Sequence, residues 1–180
     1  MRTERTRSTT ILAIRREDQA AMIGDGQVTA GDVVLKHTAR KIRRLYHDSV
    51  VAGFAGSAAD GITLLDRFAN QLEQSNGQLR RAAVDLAKDW RTDRFLRRLE
   101  AQLLVMSKDE ILLIAGEGDV IEPDANVATI GSGGIYAQSA AIALLRHTDM
   151  QAADIARSAM RIASEICIYT NADVVLETLT

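Results

Sequence analysis

The stretch TTILAIRREDQAAMIGDGQ, residues 9–27, reads as two short strands folded back on each other. Ile11, Leu12 and Ile14 lie in a β-prone run over 9–14 that ends at Arg15 and Arg16. Gln19 to Gly24 is a second run, and Glu17-Asp18 supplies the turn between them. GDGQ, residues 24–27, then breaks the pattern with a turn signal. Two strands with no helix between them speak against a repeating βαβ unit and a parallel doubly wound sheet. The segment MRTERTRS stands ahead of this hairpin, and the first strand begins abruptly on two threonines.

Outward from the hairpin the pattern stays β-like. Val33 to Leu35 is a short apolar run, and 42–46 and 49–55 read as paired strands across His47-Asp48. Ser57 followed by Asp60 resembles a capping box, and Ile62, Leu65, Phe68, Ala69 and Leu72 follow at helical spacing until Gly77. A second stripe runs Leu79, Ala82, Ala83, Leu86, Trp90, breaks at Arg91 to Arg94, and resumes at Phe95, Leu96 and Leu99. Strands return at 102–106 and 111–115, a turn spans 116–119, and a strand covers 127–130. Two helices follow, marked by Ala137, Ala140, Ala141 and Leu144, then by Ile155, Ala159, Ile162, Ala163 and Ile166. Residues 174–176 close the chain as a strand. Strands, two helices, strands, two helices, strand is an α+β order. Two antiparallel sheets face to face, with a helix pair outside each, bury every stripe.

The composition allows one sizeable core. The chain has 180 residues, 47% of them hydrophobic, with Pro123 as the only proline and no linker-like segment. A net charge of −2 provides no global basic field for nucleic acid, although Lys36 to Arg44 and Arg91 to Arg98 are locally basic. Cys167 stands alone, so it closes no intramolecular disulfide, in keeping with a reducing cytoplasm. No apolar run approaches the ~20 residues of a membrane span, and the leader lacks the apolar core of a signal peptide.

Single motifs do not name a reaction. GDGQ lacks the lysine and spacing of a phosphate loop. Gly53, inside the strand VAGFAG, reads either as a bulge or as a point of close approach by a ligand or another chain. GSGG, residues 131–134, opens a helix whose amides can hold an anion. In RKIRRLY, Lys41, Arg43 and Arg44 read as a solvated charged edge, unless Lys41 turns inward beside a carboxylate. His37, His47 and His147 fall in loops or helix ends, and no G-x-S-x-G elbow occurs.

The ordered series TTILAIRR, GDGQVT, KIRRLY, VAGFAGSAAD, LAKDWRTDRFLRRLEA, GSGGIYAQSAA and ICIYTN is more specific. It resembles the HslV (ClpQ) peptidase family, proteolytic subunits of bacterial ATP-dependent proteases and relatives of proteasome β-subunits. The resemblance runs from Thr9 to about Asn171. It implies an N-terminal-nucleophile hydrolase with a four-layer αββα sandwich. It also implies a propeptide over 1–8, removed on maturation, and one peptidase domain over 9–180.

On this resemblance Thr9 becomes the new N-terminus and a threonine nucleophile. A hydroxyl needs a base, and here the base is the residue's own α-amine. A free α-amine has a pKa of about 7.7–8.0, whereas an amide nitrogen is not basic. The resemblance assigns Lys41 to keeping that amine neutral, Asp25 to orienting Lys41, the Gly53 N–H to the oxyanion, and Ser132 to proton relay. It implies a sodium ion held by the main-chain carbonyls of Ser164, Cys167 and Thr170, and no organic cofactor. The implied partners are eleven further copies in two stacked hexameric rings, an AAA+ unfoldase of the HslU (ClpY) type, and unfolded protein substrates, without nucleic acid or membrane.

Several residues depart from the family pattern. Ser8 replaces the glycine common before the first threonine, which leaves Ser8 and Thr10 as competing new N-termini. Ser164 replaces a glycine, Ile135 replaces a frequent proline, and the tail ADVVLETLT differs. A latent ring subunit that keeps its leader and a proteasome-type β-subunit stand as alternatives.

Overall fold

The computed structural model describes residues 9–116 and 118–180; the leader expected over 1–8 lies outside them. The hairpin forms as anticipated. Strands β1 (Thr10–Arg16) and β2 (Gln19–Asp25) pair antiparallel, with Ile11 opposite Gly24 and Ile14 opposite Ala21. A small separate sheet follows, made of β3 (Val28–Ala30) and β4 (Val33–Lys36). Strands β5 (Ile42–Leu45) and β6 (Val50–Gly56) pair across Tyr46, His47 and Asp48, which all take left-handed backbone.

Helices α1 (Ala58–Gln74) and α2 (Leu79–Thr92) come next, then a 3-10 turn at Leu96–Arg98. Strands β7 (Ala101–Met106), β8 (Ile111–Ala115), β9 (Asp119–Ile121) and β10 (Val127–Gly131) lead into α3 (Gly134–His147) and α4 (Ala152–Ile166). Strand β11 (Val174–Leu179) ends the chain.

The two large sheets run β10-β1-β2-β11 and β5-β6-β7-β8-β9, antiparallel throughout. They face each other through Ile11, Met22, Ile42, Val51, Leu104 and Ile130. Helices α1 and α2 cover the outer face of the five-stranded sheet through Leu64, Phe68, Leu86 and Trp90. Helices α3 and α4 cover the four-stranded sheet, over Leu12, Ile14 and Ile23. The result is the four-layer αββα sandwich. No helix among the described residues is long and apolar enough to cross a membrane.

Several details differ from the sequence expectation. Ser57 caps α1 by position but makes no side-chain capping bond. The Asp60 carboxylate instead accepts the Glu100 N–H at 3.0 Å, tying the start of α1 to the edge of β7. The buried face of α1 is Gly61, Leu64, Leu65, Phe68 and Leu72, and Ile62 is exposed. Leu96 is buried while Phe95 points out. Ile162 sits at the rim of the buried face of α4 and Ile166 at its end, so both are exposed. The turn expected over 116–119 gives way to β9 at Asp119.

Candidate active site

The beginning of β1 lies where both sheets end, and four separate segments converge on it. Thr10 pairs with Gly131, the last residue of β10. The next two amides of the GSGG turn grip the start of β1 in order. Ser132 N–H donates to the Thr9 carbonyl at 2.9 Å, and Gly133 N–H donates to Thr10 Oγ1 at 2.9 Å. Thr9 lines a cavity of 340 Å³ together with Ala55, Gly56, Glu100, Ala101, Gln102, Gly131 and Ser132.

Asp25 ends β2, and Lys41 immediately precedes β5. Lys41 is therefore not part of a solvated edge. It is 4% exposed, against 1% for Asp25. Its ammonium stands 3.4 Å from Asp25 Oδ1 and donates to the Gln27 carbonyl at 2.5 Å. Asp25 Oδ1 also accepts the Thr10 N–H at 2.7 Å, and Oδ2 accepts the amides of Gln27 at 3.1 Å and Asn171 at 3.4 Å. Burial pushes the Lys41 ammonium below its ordinary value of 10.5, and the Asp25 charge and hydrogen bond oppose that shift. The arrangement holds a cation inside the protein, against a carboxylate that is itself bonded to the Thr10 amide, one residue along the chain from Thr9.

The ladder separates two glycines. In an antiparallel strand, successive N–H groups point to opposite neighbours. Phe54 N–H donates to the Lys41 carbonyl, on the β5 side, and Ser57 N–H donates to the Glu100 carbonyl, on the β7 side. By that alternation Gly53 N–H points to β7, opposite Leu104. Gly53 is thus committed to the sheet, in unbroken register with both neighbours, and its expected oxyanion role does not fit. Its missing side chain has another cause: a Cβ there would come within 2.7 Å of Ile11 Cδ1, where the two sheets meet. Gly56 N–H points the other way, to the side on which β5 begins only at Ile42, opposite Gly53. Gly56 also lines the Thr9 cavity. The VAGFAG string carries both glycines, and only the strand parity tells them apart.

Thr10, the competing candidate, is engaged through its side chain. It is fully buried, and its hydroxyl lies 2.6 Å from Thr170 Oγ1 while accepting the Gly133 amide. The competing Ser8 lies outside the described residues. Ser164, Cys167 and Thr170 occupy the end of α4 and the turn after it, where Thr170 N–H donates to the Cys167 carbonyl at 3.0 Å.

The proteasome-subunit family matches residues 6–179. The ATP-dependent protease subunit HslV of Aquifex aeolicus is 57% identical over 171 residues, covering 95% of this chain and 97% of that protein. The crystal structure of eukaryotic HslV from Trypanosoma brucei superposes with a TM-score of 0.90 at 49% identity, covering 94% of this chain and 98% of the other. A Thiobacillus denitrificans protein, BPH in complex with epoxomicin, shares the fold with a TM-score of 0.76 at 22% identity, over 94% and 97% of the two chains. With the family match over nearly the whole chain and HslV proteins similar to it along 94–95% of its length, this chain belongs to the proteasome-subunit family, on its HslV branch.

Proposed function

We propose that the chain is the threonine endopeptidase subunit of an ATP-dependent protease and cleaves unfolded polypeptides with Thr9. The observation that carries this reading is the buried Lys41–Asp25 pair beside the backbone of Thr9-Thr10, with Thr9 itself on a cavity wall. Removal of residues 1–8 frees the Thr9 amine. That amine takes the proton of the Thr9 hydroxyl as the oxygen attacks the substrate carbonyl. Lys41 keeps the amine in its neutral form by like-charge repulsion. The oxyanion meets the outward N–H of Gly56; one such donor lowers the barrier by about 3–4 kcal/mol. The ammonium then protonates the departing amine, and an ester remains on Thr9. Water, deprotonated by the same amine, hydrolyses that ester and restores the hydroxyl. Ser132, whose N–H donates to the Thr9 carbonyl, is the proposed proton-relay partner.

The sodium expectation fits the donor set. Main-chain carbonyls at the negative end of α4 are hard, neutral oxygen ligands suited to a monovalent cation. Ser164, Cys167 and Thr170 would supply them. A cation held there would supply electrostatic cohesion to the turn after α4.

The proposed particle is two stacked hexameric rings of this chain, served by a ring-shaped AAA+ unfoldase in the cytoplasm. Intact mass of the assembled protein, together with hydrolysis of an unstructured peptide by wild type and Thr9→Ala, tests the reading. The expected result is loss of residues 1–8 in the wild type and no hydrolysis by Thr9→Ala. Equal rates for the two proteins remove Thr9 from the chemistry. An active particle that retains its full leader removes the amine as base, and a sevenfold ring in electron micrographs overturns the assembly.

A further inference from the structure

Once an N-terminal nucleophile has lost its leader, one covalent bond holds it in place. For Thr9 that bond leads to Thr10. Beside the Ser132 amide on the Thr9 carbonyl, the anchoring of residue 10 therefore bears on the orientation of the attacking hydroxyl. Its anchoring is unusually complete. The Thr10 amide donates to Asp25 Oδ1 at 2.7 Å. The Thr10 hydroxyl accepts the Gly133 amide at 2.9 Å and pairs with Thr170 Oγ1 at 2.6 Å. Both residues are buried, at 0% and 4% exposure.

Three distant segments meet at this point: the start of β1, the turn into α3 and the turn after α4. The space is closed. A Cβ on Gly133 would overlap Thr170 Oγ1 and lie 2.6 Å from Thr10 Oγ1. A glycine at 133 is therefore required by the hydroxyl pair, not by the turn alone. Threonine suits position 10 because its β-branch restricts χ1 while its oxygen both accepts and donates. Valine would keep the shape and lose both bonds.

We infer that Thr10 and Thr170 form a positioning pair: their buried hydroxyl contact, closed over Gly133, fixes the orientation of Thr9 toward Lys41 and the cavity. Neither side chain touches substrate. The inference rests on the proposed peptidase reading. It adds that the turn after α4 sets the rate of catalysis through Thr170's side chain.

The test uses the assembled particle with Thr10→Val, Thr10→Ser, Thr170→Val, Thr170→Ser and the Thr10→Val/Thr170→Val double variant. In Thr10→Val, kcat on an unstructured peptide is expected to fall by about ten- to a hundredfold, the size of effect that small misplacements of reacting groups produce. KM should stay close to wild type, because binding groups are untouched. Thr10→Ser should recover most of the rate. Thr170→Val, which removes the hydroxyl pair alone, should lose rate in the same direction but less than Thr10→Val, which also loses the Gly133 bond, and the double variant should be no worse than Thr10→Val. Leader retention in Thr10→Val that Thr10→Ser relieves counts in the same direction.

Unchanged kcat in Thr10→Val, a rise in KM alone, failure of Thr10→Ser to recover, or additive losses in the double variant each overturn the inference. Should Thr10→Val not assemble, Thr170→Val against Thr170→Ser decides by the same criteria. An inactive Thr9→Ala beside a fully active Thr10→Val sinks only the positioning pair, whereas an active Thr9→Ala sinks the peptidase reading itself.

Discussion

Helices α1 and α2 pack on their sheet through Leu64, Phe68, Leu72, Leu86 and Trp90 beside Ala82, Ala83 and Ala87, whereas α3 and α4 pack mostly through Ala137, Ala141, Ala152, Ala156, Ala159 and Ala163 beside Ile155 and Met160. Bulky side chains fill the first layer; small ones let helix backbones approach their sheet and each other in the second. The polar interior follows the same division. Thr9, Thr10, Asp25, Gln27, Lys41 and Thr170 are buried around the ends of β1 and β2, next to the small-residue layer. Close approach there brings the GSGG turn and the turn after α4 onto the start of β1. One half of the sandwich acts as a foundation, and the other holds chemical groups to position. Substitutions should separate the halves: one set should change stability without chemistry, the other chemistry beyond stability.

The largest effect is expected at Lys41. Lys41→Met removes the buried cation but leaves Asp25 with the amides of Thr10, Gln27 and Asn171, so the fold keeps most of its support there. Activity should fall by about 10²-fold or more, the usual scale for disabling acid–base function. The pH profile carries the sign. A nearby ammonium lowers the pKa of the Thr9 amine, so its removal should move the acidic limb of kcat/KM to higher pH. In the wild type the basic limb should begin below 10.5, because burial lowers the Lys41 value and its charge is lost earlier. The stability effect has the opposite sense from a favourable ion pair. Between the lowered value and 10.5 the unfolded chain binds more protons, so this lysine adds stability as pH rises through that window. An acidic limb unmoved in Lys41→Met would deny the electrostatic role.

The second effect belongs to the foundation. Phe68 is fully buried between α1 and its sheet. Phe68→Ala should lower unfolding free energy by about 3–5 kcal/mol, by lost burial plus a cavity. Measured in urea, that loss should come with kcat and KM near wild type while the particle stays folded. A large fall in kcat at temperatures where Phe68→Ala is fully native would break the division between the halves.

Much of this arrangement could be read from residue order. The hairpin over 9–25 was legible because Glu17-Asp18 leaves no room for a helix between two β-prone runs. Thr9, Asp25, Lys41 and Ser132 were named through motif resemblance, and the structure brings them to one strand end. Gly53 was misplaced for a physical reason. Which neighbour an N–H faces depends on strand parity counted from where β5 begins, and that is a tertiary fact. The Thr10–Thr170 pair was invisible because no periodicity links residues 160 positions apart. Strands β3 and β9 span three residues each, too short for alternation to show.

The smallest effect is the most discriminating. Ala159 is fully buried on α4, against the four-stranded sheet. Ala159→Leu adds volume where backbones already approach closely, and overpacking of this kind costs about 1–3 kcal/mol. On stability alone it should look milder than Phe68→Ala. Its consequence should nonetheless reach the chemistry. To admit the larger side chain α4 must move off the sheet, and its C-terminal turn carries Thr170, whose hydroxyl holds Thr10. The prediction is a reversed ranking: the less destabilised Ala159→Leu loses kcat, and the more destabilised Phe68→Ala keeps it, both assayed well below their melting temperatures. If kcat instead tracks unfolding free energy across the two variants, the small-residue layer has no special hold on the nucleophile, and both halves are only foundation.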